Sequence, residues 1–395
     1  MQGRSVHPQR QYPTLDLLRV VAIGLTMMAH AHGIVERVFF LRPISGGMWL
    51  GVDLFMLISG WLLGGQLLRD AARGTFEPTR FYTKRWLRTL PPYYFMLVVL
   101  FCFGTPQVGG LDGTEYVLDV ARTDHLHSAL SWHVVVSHLS FMQRYVPPNL
   151  YGVSWSLCVE EHFYLALPLV VLSLMRWPRV AFTVGLVLGI EAIAIVSRLA
   201  TFSSSTWVPQ QTHMRCHGLF VGLLLAWLNI HRPRAWARLG AFATWLGLLG
   251  IVGTLSLMAT IPNAPSRWTY VAVPTVATWT LSLLFLACVH EQSPFSRARF
   301  PGLQYLGELT FSIYLVHNVL PRAWLGEHSG AAGVRGVVIR FVLVGGASVL
   351  LHHLVERPAL RLRERVLRAW PPAPAQAPAR APARAPARAI ASKVV

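Results

Sequence analysis

The chain contains repeated apolar stretches of close to twenty residues, each long enough for a helix to cross the hydrocarbon core of a bilayer. Only 13% of its 395 residues are charged, and 53% are apolar. A soluble domain carries about 25% charged residues. These features predict an all-α membrane protein with about ten transmembrane helices in one bundle. The predicted spans are 16–36, 50–68, 90–104, 155–175, 179–197, 213–230, 239–258, 269–289, 303–321 and 335–355.

The net charge of +18 follows membrane topology rather than nucleic-acid binding. Arginine and lysine concentrate in alternate loops, most of all in 69–88, and in the C-terminal segment, whereas the opposite loops carry few of them. Positive residues stay on the cytoplasmic side of a membrane. We therefore predict a multi-pass membrane protein with both termini in the cytoplasm.

Three segments are predicted along the chain. Residues 1–13 form a cytoplasmic N-terminal segment, 14–360 form the transmembrane domain, and 361–395 form a basic tail rich in alanine, proline and arginine. Such a composition cannot bury a core, so we expect the tail to be disordered. The four cysteines lie in apolar stretches, and the histidines of 105–153 match no compact metal site. We expect neither a metal nor a permanently bound cofactor.

Two ionisable residues, Arg19 and His30, lie in the first apolar stretch. Such residues are costly inside a membrane and usually functional. Eleven positions correspond to about three helical turns, so both side chains share one face, about 16 Å apart along the axis. This arrangement suits an extended anionic molecule lying beside the helix, with its charged end at Arg19 and its reactive end at His30.

The second and third polar clusters are Asp53, inside an apolar stretch, and the basic segment that contains Arg85 and Arg88. Arginines three positions apart are neighbours on a helix, and paired guanidinium groups suit phosphate. Ordinary positive-inside charge explains the pair equally well. Asp53 is either a partner of the reacting groups or a structural hydrogen-bond acceptor.

A fourth cluster, at the start of the span 155–175, contains Trp155, Ser156, Glu160 and Glu161. Ser156 and Glu160 are four positions apart and face the same side of a helix. Carboxylates are also favoured near a helix N-terminus for purely electrostatic reasons. Two adjacent carboxylates entering a bilayer nevertheless indicate a polar site.

These segments, in this order, resemble the membrane acyltransferase-3 family of bacterial O-acyltransferases that modify glycans and macrolides. The matching pieces are Arg19 with His30, Gly51-Val52-Asp53-Leu54-Phe55 with Ser59-Gly60, Phe81-Tyr82 with Arg85 and Arg88, Ser154-Trp155-Ser156 through Glu160-Glu161, and more weakly Leu306 to His317 and Glu356-Arg357-Pro358. Together they span about residues 14–360.

The resemblance implies transfer of an acyl group, acetyl or another short one, from acyl-CoA to a hydroxyl of a glycan. In this interpretation the catalytic residues are His30, a general base or an acyl carrier, and Ser156 and Glu160, which orient or polarise the acceptor or His30. The resemblance also implies a location in the bacterial cytoplasmic membrane. The CoA phosphates bind Arg19, Arg85 and Arg88. The residues expected to bind substrate or support these groups are Asp53, Trp155, Glu161, Tyr314 and His317, although a packed interhelical role fits His317 equally.

Two other functions stay open at this stage. The acceptor could be a macrolide or another small metabolite instead of a glycan. From a different class, a transporter or flippase also lines its pathway with buried ionisable groups. A carrier, however, has no need of a paired basic face that leads to a histidine, which favours the enzyme.

Overall fold

The computed structural model describes residues 12, 14–31, 35, 41–110, 113–118, 132–146, 151–203, 209–262, 266–298, 300, 302–319 and 334–371. The elements, in chain order, are α1 (Thr14–Ala29), α2 (Gly51–Ala72), α3 (Pro78–Phe103), β1 (Gly104–Gly110), β2 (Gly113–Leu118), α4 (Trp132–Leu139), α5 (Trp155–Arg176), α6 (Val180–Thr201), α7 (Thr212–Arg215), α8 (His217–His231), α9 (Pro233–Gly240), α10 (Ala243–Thr260), α11 (Val273–Val289), α12 (Leu303–Val316), α13 (Val334–Leu351) and α14 (Arg357–Arg368). Strands β1 and β2 form an antiparallel ribbon, and the fold is otherwise helical.

Within the described residues, six helical segments are long and apolar enough to cross a membrane: Arg42–Ala72, Gly152–Arg176, Val180–Thr201, Ala243–Thr260, Trp268–Val289 and Val338–Arg368. Their outer faces expose large apolar side chains, among them Leu169, Val196, Val252 and Leu350. A surface of this kind is stable against lipid rather than water, so the chain is an integral membrane protein. The other four predicted spans are helical in whole or in part, but they are shorter or more polar, and the count of ten stays a prediction.

In two helices the bounds differ from the prediction in a way that affects the site. Helix α1 ends at Ala29, so His30 lies at the end of this helix rather than in the middle of a longer span. Helix α3 begins at Pro78 and continues through Pro91 and Pro92, although we expected the span to begin at residue 90. The basic segment is therefore the first half of a helix whose second half is apolar, which holds its arginines rigidly against the bundle.

The C-terminal part of the fold also differs from the prediction. After α13 the chain passes through a π-helical turn, His352–Glu356, and continues as α14 to Arg368. Residues 361–368, which we assigned to the disordered tail, are thus helical. The apolar residues of α14 recur at helical spacing among its arginines, which lets the helix pack against α3.

Helices α2 and α8 approach each other closely through glycines. A Cβ atom on Gly60 would lie 2.0 Å from the carbonyl oxygen of Leu219, and one on Gly222 would lie 2.2 Å from that of Leu57. Small residues of this kind let membrane helices approach at backbone distance. The contact fixes α2 in the centre of the bundle, where it borders the cleft described below.

Candidate active site

Five helices surround a cleft with about 810 Å³ of empty space, including its open mouth. Its walls are formed by residues of α1, α2, α3, α5 and α12. Six of the eleven predicted site residues line it: Arg19, Arg85, Arg88, Ser156, Glu160 and Tyr314. The remaining five are His30, Asp53, Trp155, Glu161 and His317, which lie elsewhere.

Arg19 is held in the wall of the cleft by a neighbour on its own helix. Its Nη1 lies 3.2 Å from Oδ1 of Asp16, and only 8% of the residue is exposed. Helix α12 makes room for this carboxylate at Gly307, where a Cβ atom would lie 2.9 Å from Oδ1 of Asp16. The glycine therefore lets α12 pack directly over the ion pair.

Arg85 and Arg88 are the least neutralised cations of the cleft. Neither forms an ion pair with any residue that the structure describes, and Arg88 lies close enough to Arg19 for the two charges to repel. The guanidinium of Arg85 lies 5.7 Å from the ring centre of Tyr164. A cation over an aromatic face is stabilised without being neutralised. The cleft thus has a positive end.

Glu160 supplies a carboxylate to the same cleft. Its Oε2 accepts hydrogen bonds from the phenol of Tyr164, one turn further along α5, and from the hydroxyl of Ser59 on α2, at 3.4 Å. These partners fix the orientation of the carboxylate. Because it faces the cleft, it can also accept a hydrogen bond from a ligand hydroxyl.

Ser156 faces the same cleft as Glu160, as their spacing predicted. Its Oγ lies 2.8 Å from the phenol oxygen of Tyr314, and that phenol donates its single proton to the carbonyl of Val153. Ser156 therefore donates its own proton to Tyr314, and its oxygen lone pairs face the cleft. In this state the serine can accept a hydrogen bond and lacks a base to activate it as a nucleophile.

Glu161 has a different environment from its neighbour. It is buried, and its Oε1 accepts a hydrogen bond from the hydroxyl of Thr89 at 2.9 Å. Thr89 directly follows Arg88 on α3. Glu161 therefore ties α5 to the segment that carries the cleft arginines, rather than facing the cleft itself.

His30 and His317 lie together beside the cleft. Their ring centres are 4.8 Å apart in an edge-to-face arrangement, and His317 lies 5.8 Å from the ring of Tyr314, which lines the cleft. Nδ1 of His30 donates to the carbonyl of Thr26 at 3.0 Å, and Nδ1 of His317 donates to that of Tyr314 at 2.7 Å. A neutral imidazole in this tautomer carries its lone pair on Nε2, the atom that can act as a base.

Asp53 forms a buried ion pair with Arg215. Nη2 of Arg215 lies 2.9 Å from Oδ1 and 3.0 Å from Oδ2 of the carboxylate, and both side chains are shielded from solvent. The guanidinium lies between the rings of Trp49 and Trp155, at 5.1 and 5.2 Å from their centres. Of the two roles considered for Asp53, this geometry supports the structural one. Trp155 takes part in the same cluster.

The sequence reasoning missed Arg215 and a second buried pair on α6. Arg198 lies 3.5 Å from Glu191, and Thr275 of α11 donates a hydrogen bond to the same carboxylate. A signal was present, because all three ionisable residues occur within or at the edge of predicted spans. Their pairing was not visible, since the carboxylate partner of Arg215 lies 162 positions away.

The Asp53–Arg215 pair generates a stability prediction. Replacing Asp53 by alanine leaves a buried arginine without its counter-charge, which costs about 3–5 kcal/mol. We expect a clear fall in the melting temperature of the detergent-solubilised protein. Replacing the pair together, as Asp53→Leu with Arg215→Met, should recover part of the loss because no charge stays buried.

The matched control is Arg368→Ala, which breaks an exposed pair with Glu364 whose atoms are 3.9 Å apart. Exposed pairs contribute little to stability, so this variant should melt like the wild type. Equal melting temperatures for Asp53→Ala and Arg368→Ala would show that the buried pair does not stabilise the fold.

The sequence matches a known protein family over most of its length. The acyltransferase-3 family, described as an acyltransferase domain, matches residues 12–351. Peptidoglycan O-acetyltransferase OatA of Listeria monocytogenes is 24% identical over 339 residues, which are 80% of this chain and 50% of that protein. O-acetyltransferase OatA of Staphylococcus aureus is 26% identical over 328 residues, 79% of this chain and 51% of that protein.

Nodulation protein 10 of Rhizobium leguminosarum is similar over almost its full length, at 25% identity over 407 residues, 92% of this chain and 97% of that protein. The chain spans about half the length of the OatA proteins. No solved structure gives a significant match. Because the family match covers most of the chain, including every residue that lines the cleft, the chain belongs to the acyltransferase-3 family.

Proposed function

We propose that the protein transfers an acyl group, acetyl or another short one, from acyl-CoA to a hydroxyl of a carbohydrate-containing acceptor. The observation that carries this proposal is the composition of the cleft. Three guanidinium groups share one cavity with a serine and a glutamate, and two of them, Arg85 and Arg88, form no ion pair with a described residue. The buried arginines outside the cleft, Arg215 and Arg198, both have carboxylate partners.

Arg19, Arg85 and Arg88 are proposed to hold the diphosphate of CoA. Charge-assisted hydrogen bonds from arginine to phosphate are strong, and the planar guanidinium matches two phosphate oxygens at once. The pantetheine arm then extends along α1 toward His30, about 16 Å away. This path passes Tyr314, which lines the cleft and contacts His317.

His30 is proposed as the group that handles the transferred proton or the acyl group. As a general base, Nε2 takes the acceptor proton while the hydroxyl oxygen attacks the thioester carbon. The C–S bond breaks, and the proton passes to the departing thiolate. As a nucleophile, Nε2 takes the acyl group first and releases CoA, and the acceptor hydroxyl then displaces it. His317, in contact with His30, keeps its ring in place.

Ser156 and Glu160 are proposed to orient the acceptor. The serine oxygen and the carboxylate both offer lone pairs to the cleft, which suits a sugar with several hydroxyl groups. The named relatives support this acceptor class, since one is a peptidoglycan O-acetyltransferase. A macrolide or another small metabolite is the alternative acceptor. The donor side is proposed to face the cytoplasm of a bacterial cell, with both termini on that side.

The donor assignment predicts the kinetics of Arg85→Ala with Arg88→Ala. The apparent KM for acetyl-CoA should rise at least about tenfold, because a hydrogen bond to a charged group contributes about 1.5–3 kcal/mol. The KM for the acceptor should stay the same. Lysine at both positions should restore part of the loss, since lysine keeps the charge but not the planar fork.

Arg73→Ala is the control for this experiment, because Arg73 is an exposed arginine of the same basic loop outside the cleft. It should leave both KM values unchanged. A double variant that alters only the acceptor KM, or a control with the same effect as the double variant, would contradict the assignment.

The reaction itself is tested at His30. His30→Ala should remove the acylated product from the mass spectrum while expression and melting temperature stay near those of the wild type. His133→Ala, which removes an exposed histidine, should leave the product yield unchanged. Product formation by His30→Ala at the wild-type rate would exclude this histidine from the mechanism.

A further inference from the structure

Helix α14 is fastened to the bundle at both ends. Just before it begins, the buried carboxylate of Glu356 lies 2.8 Å from the hydroxyl of Ser312 on α12 and 3.0 Å from Nδ1 of His352. Just after it ends, Nε1 of Trp370 donates to the carboxylate of Glu77, which precedes α3, at 2.6 Å. Between these points α14 packs against α3. The helix therefore has a fixed place beside the cleft arginines.

A row of cations runs from the cleft toward this helix. Arg80, Lys84 and Arg88 are four positions apart on α3, so they share one face and cover about 12 Å. Arg88 is in the wall of the cleft. From α14, Arg363 lies close enough to both Arg88 and Lys84 for their charges to repel. We call these four residues the basic row.

The basic row lacks matching carboxylates. Among the described residues, none of its members forms an ion pair. The carboxylates that attract them from a distance are Asp70 for Lys84 and Arg80, Glu364 for Arg363, and Glu160 for Arg88. Glu364 instead lies 3.9 Å from Arg368. The Nε atoms of Arg80 and Arg363 are buried and form no hydrogen bond there.

The electrostatic environment of Lys84 agrees with this geometry. Desolvation lowers the pKa of its ammonium group, and the positive charge of Arg80 lowers it further, while Asp70 acts in the opposite direction. Like charges held together with little compensation raise the free energy of the empty protein. A bound polyanion would offset that cost.

We propose that Arg363, together with Lys84 and Arg88, forms a subsite for the 3′-phosphate of the adenosine end of acyl-CoA. The inference rests on the proposed function, in which acyl-CoA is the donor. Coenzyme A carries this phosphate beyond its diphosphate, and the basic row likewise extends beyond the cleft. In this arrangement α14 is part of the donor site, and Ser312, Glu356 and Trp370 are positioning residues.

The phosphate of an anionic lipid has the same chemistry, and α14 has features of a helix at a membrane surface. Leu362 is 50% exposed beside the exposed Arg361. The experiment must therefore separate a donor phosphate from a lipid phosphate. We use acetyl-CoA and acetyl-3′-dephospho-CoA as donors, and nanodiscs of phosphatidylcholine alone or with phosphatidylglycerol.

In phosphatidylcholine nanodiscs the wild type should have a KM about tenfold lower for acetyl-CoA than for the dephospho donor, with equal kcat. Arg363→Gln should reduce the ratio of the KM for the dephospho donor to the KM for acetyl-CoA severalfold, mainly by raising the KM for acetyl-CoA. Arg363→Lys should retain most of the ratio. Arg361→Gln, the same change at an exposed position of α14, should leave the ratio unchanged.

Three results would overturn the subsite. The wild type could use both donors equally well, or Arg363→Gln could raise the KM for both donors by the same factor. Arg363→Gln could also abolish only the effect of phosphatidylglycerol on activity, which would show that Arg363 binds a lipid phosphate. Each of these results would leave the proposed transfer of an acyl group from acyl-CoA unaffected. If the wild type accepted the acyl group from neither donor, the proposed function would fall as well.

Discussion

The cost of placing charge in a low-dielectric membrane governs this structure. An isolated ion in such surroundings is unstable unless it is paired, hydrated or bound to a ligand. Arg215 and Arg198 meet this condition through Asp53 and Glu191. Arg85 and Arg88 meet it by facing a cleft. We infer that an arginine that faces the cleft is available to a substrate, whereas a buried, paired arginine outside the cleft is structural.

The surrounding helices serve to hold that cleft open and in one shape. Helix α2 is fixed by its glycine contact with α8. It also carries Ser59, whose hydroxyl donates a hydrogen bond to Glu160. Glu161 ties α5 to α3 next to the cleft arginines. Of these two adjacent glutamates, Glu160 faces the cleft and Glu161 stabilises the packing of α5 against α3. Such rigid positioning is how a protein orients reactants without further cost during the reaction.

Local spacing was enough to predict much of the site. The arginine pair on α3 and the pair Ser156 and Glu160 on α5 each face one cleft, as their helical spacing required. Contacts between segments that are distant in sequence could not be predicted from local spacing. The pairing of His30 with His317 and of Asp53 with Arg215 depends on how helices pack, which no local pattern specifies. The same holds for the extension of α3 through two prolines, where packing against the bundle outweighs local preference.

In the proposed mechanism the cleft arginines receive a donor from the cytoplasmic side. Acetyl-CoA cannot cross a bilayer, so membrane vesicles of known orientation test this claim directly. Radiolabelled acetyl-CoA would be added outside either inverted or right-side-out vesicles that contain the protein. We predict that label reaches the acceptor only in inverted vesicles, whose cytoplasmic face is outward. Equal labelling in sealed right-side-out vesicles would contradict the account, because the arginines would then meet their ligand from the opposite side.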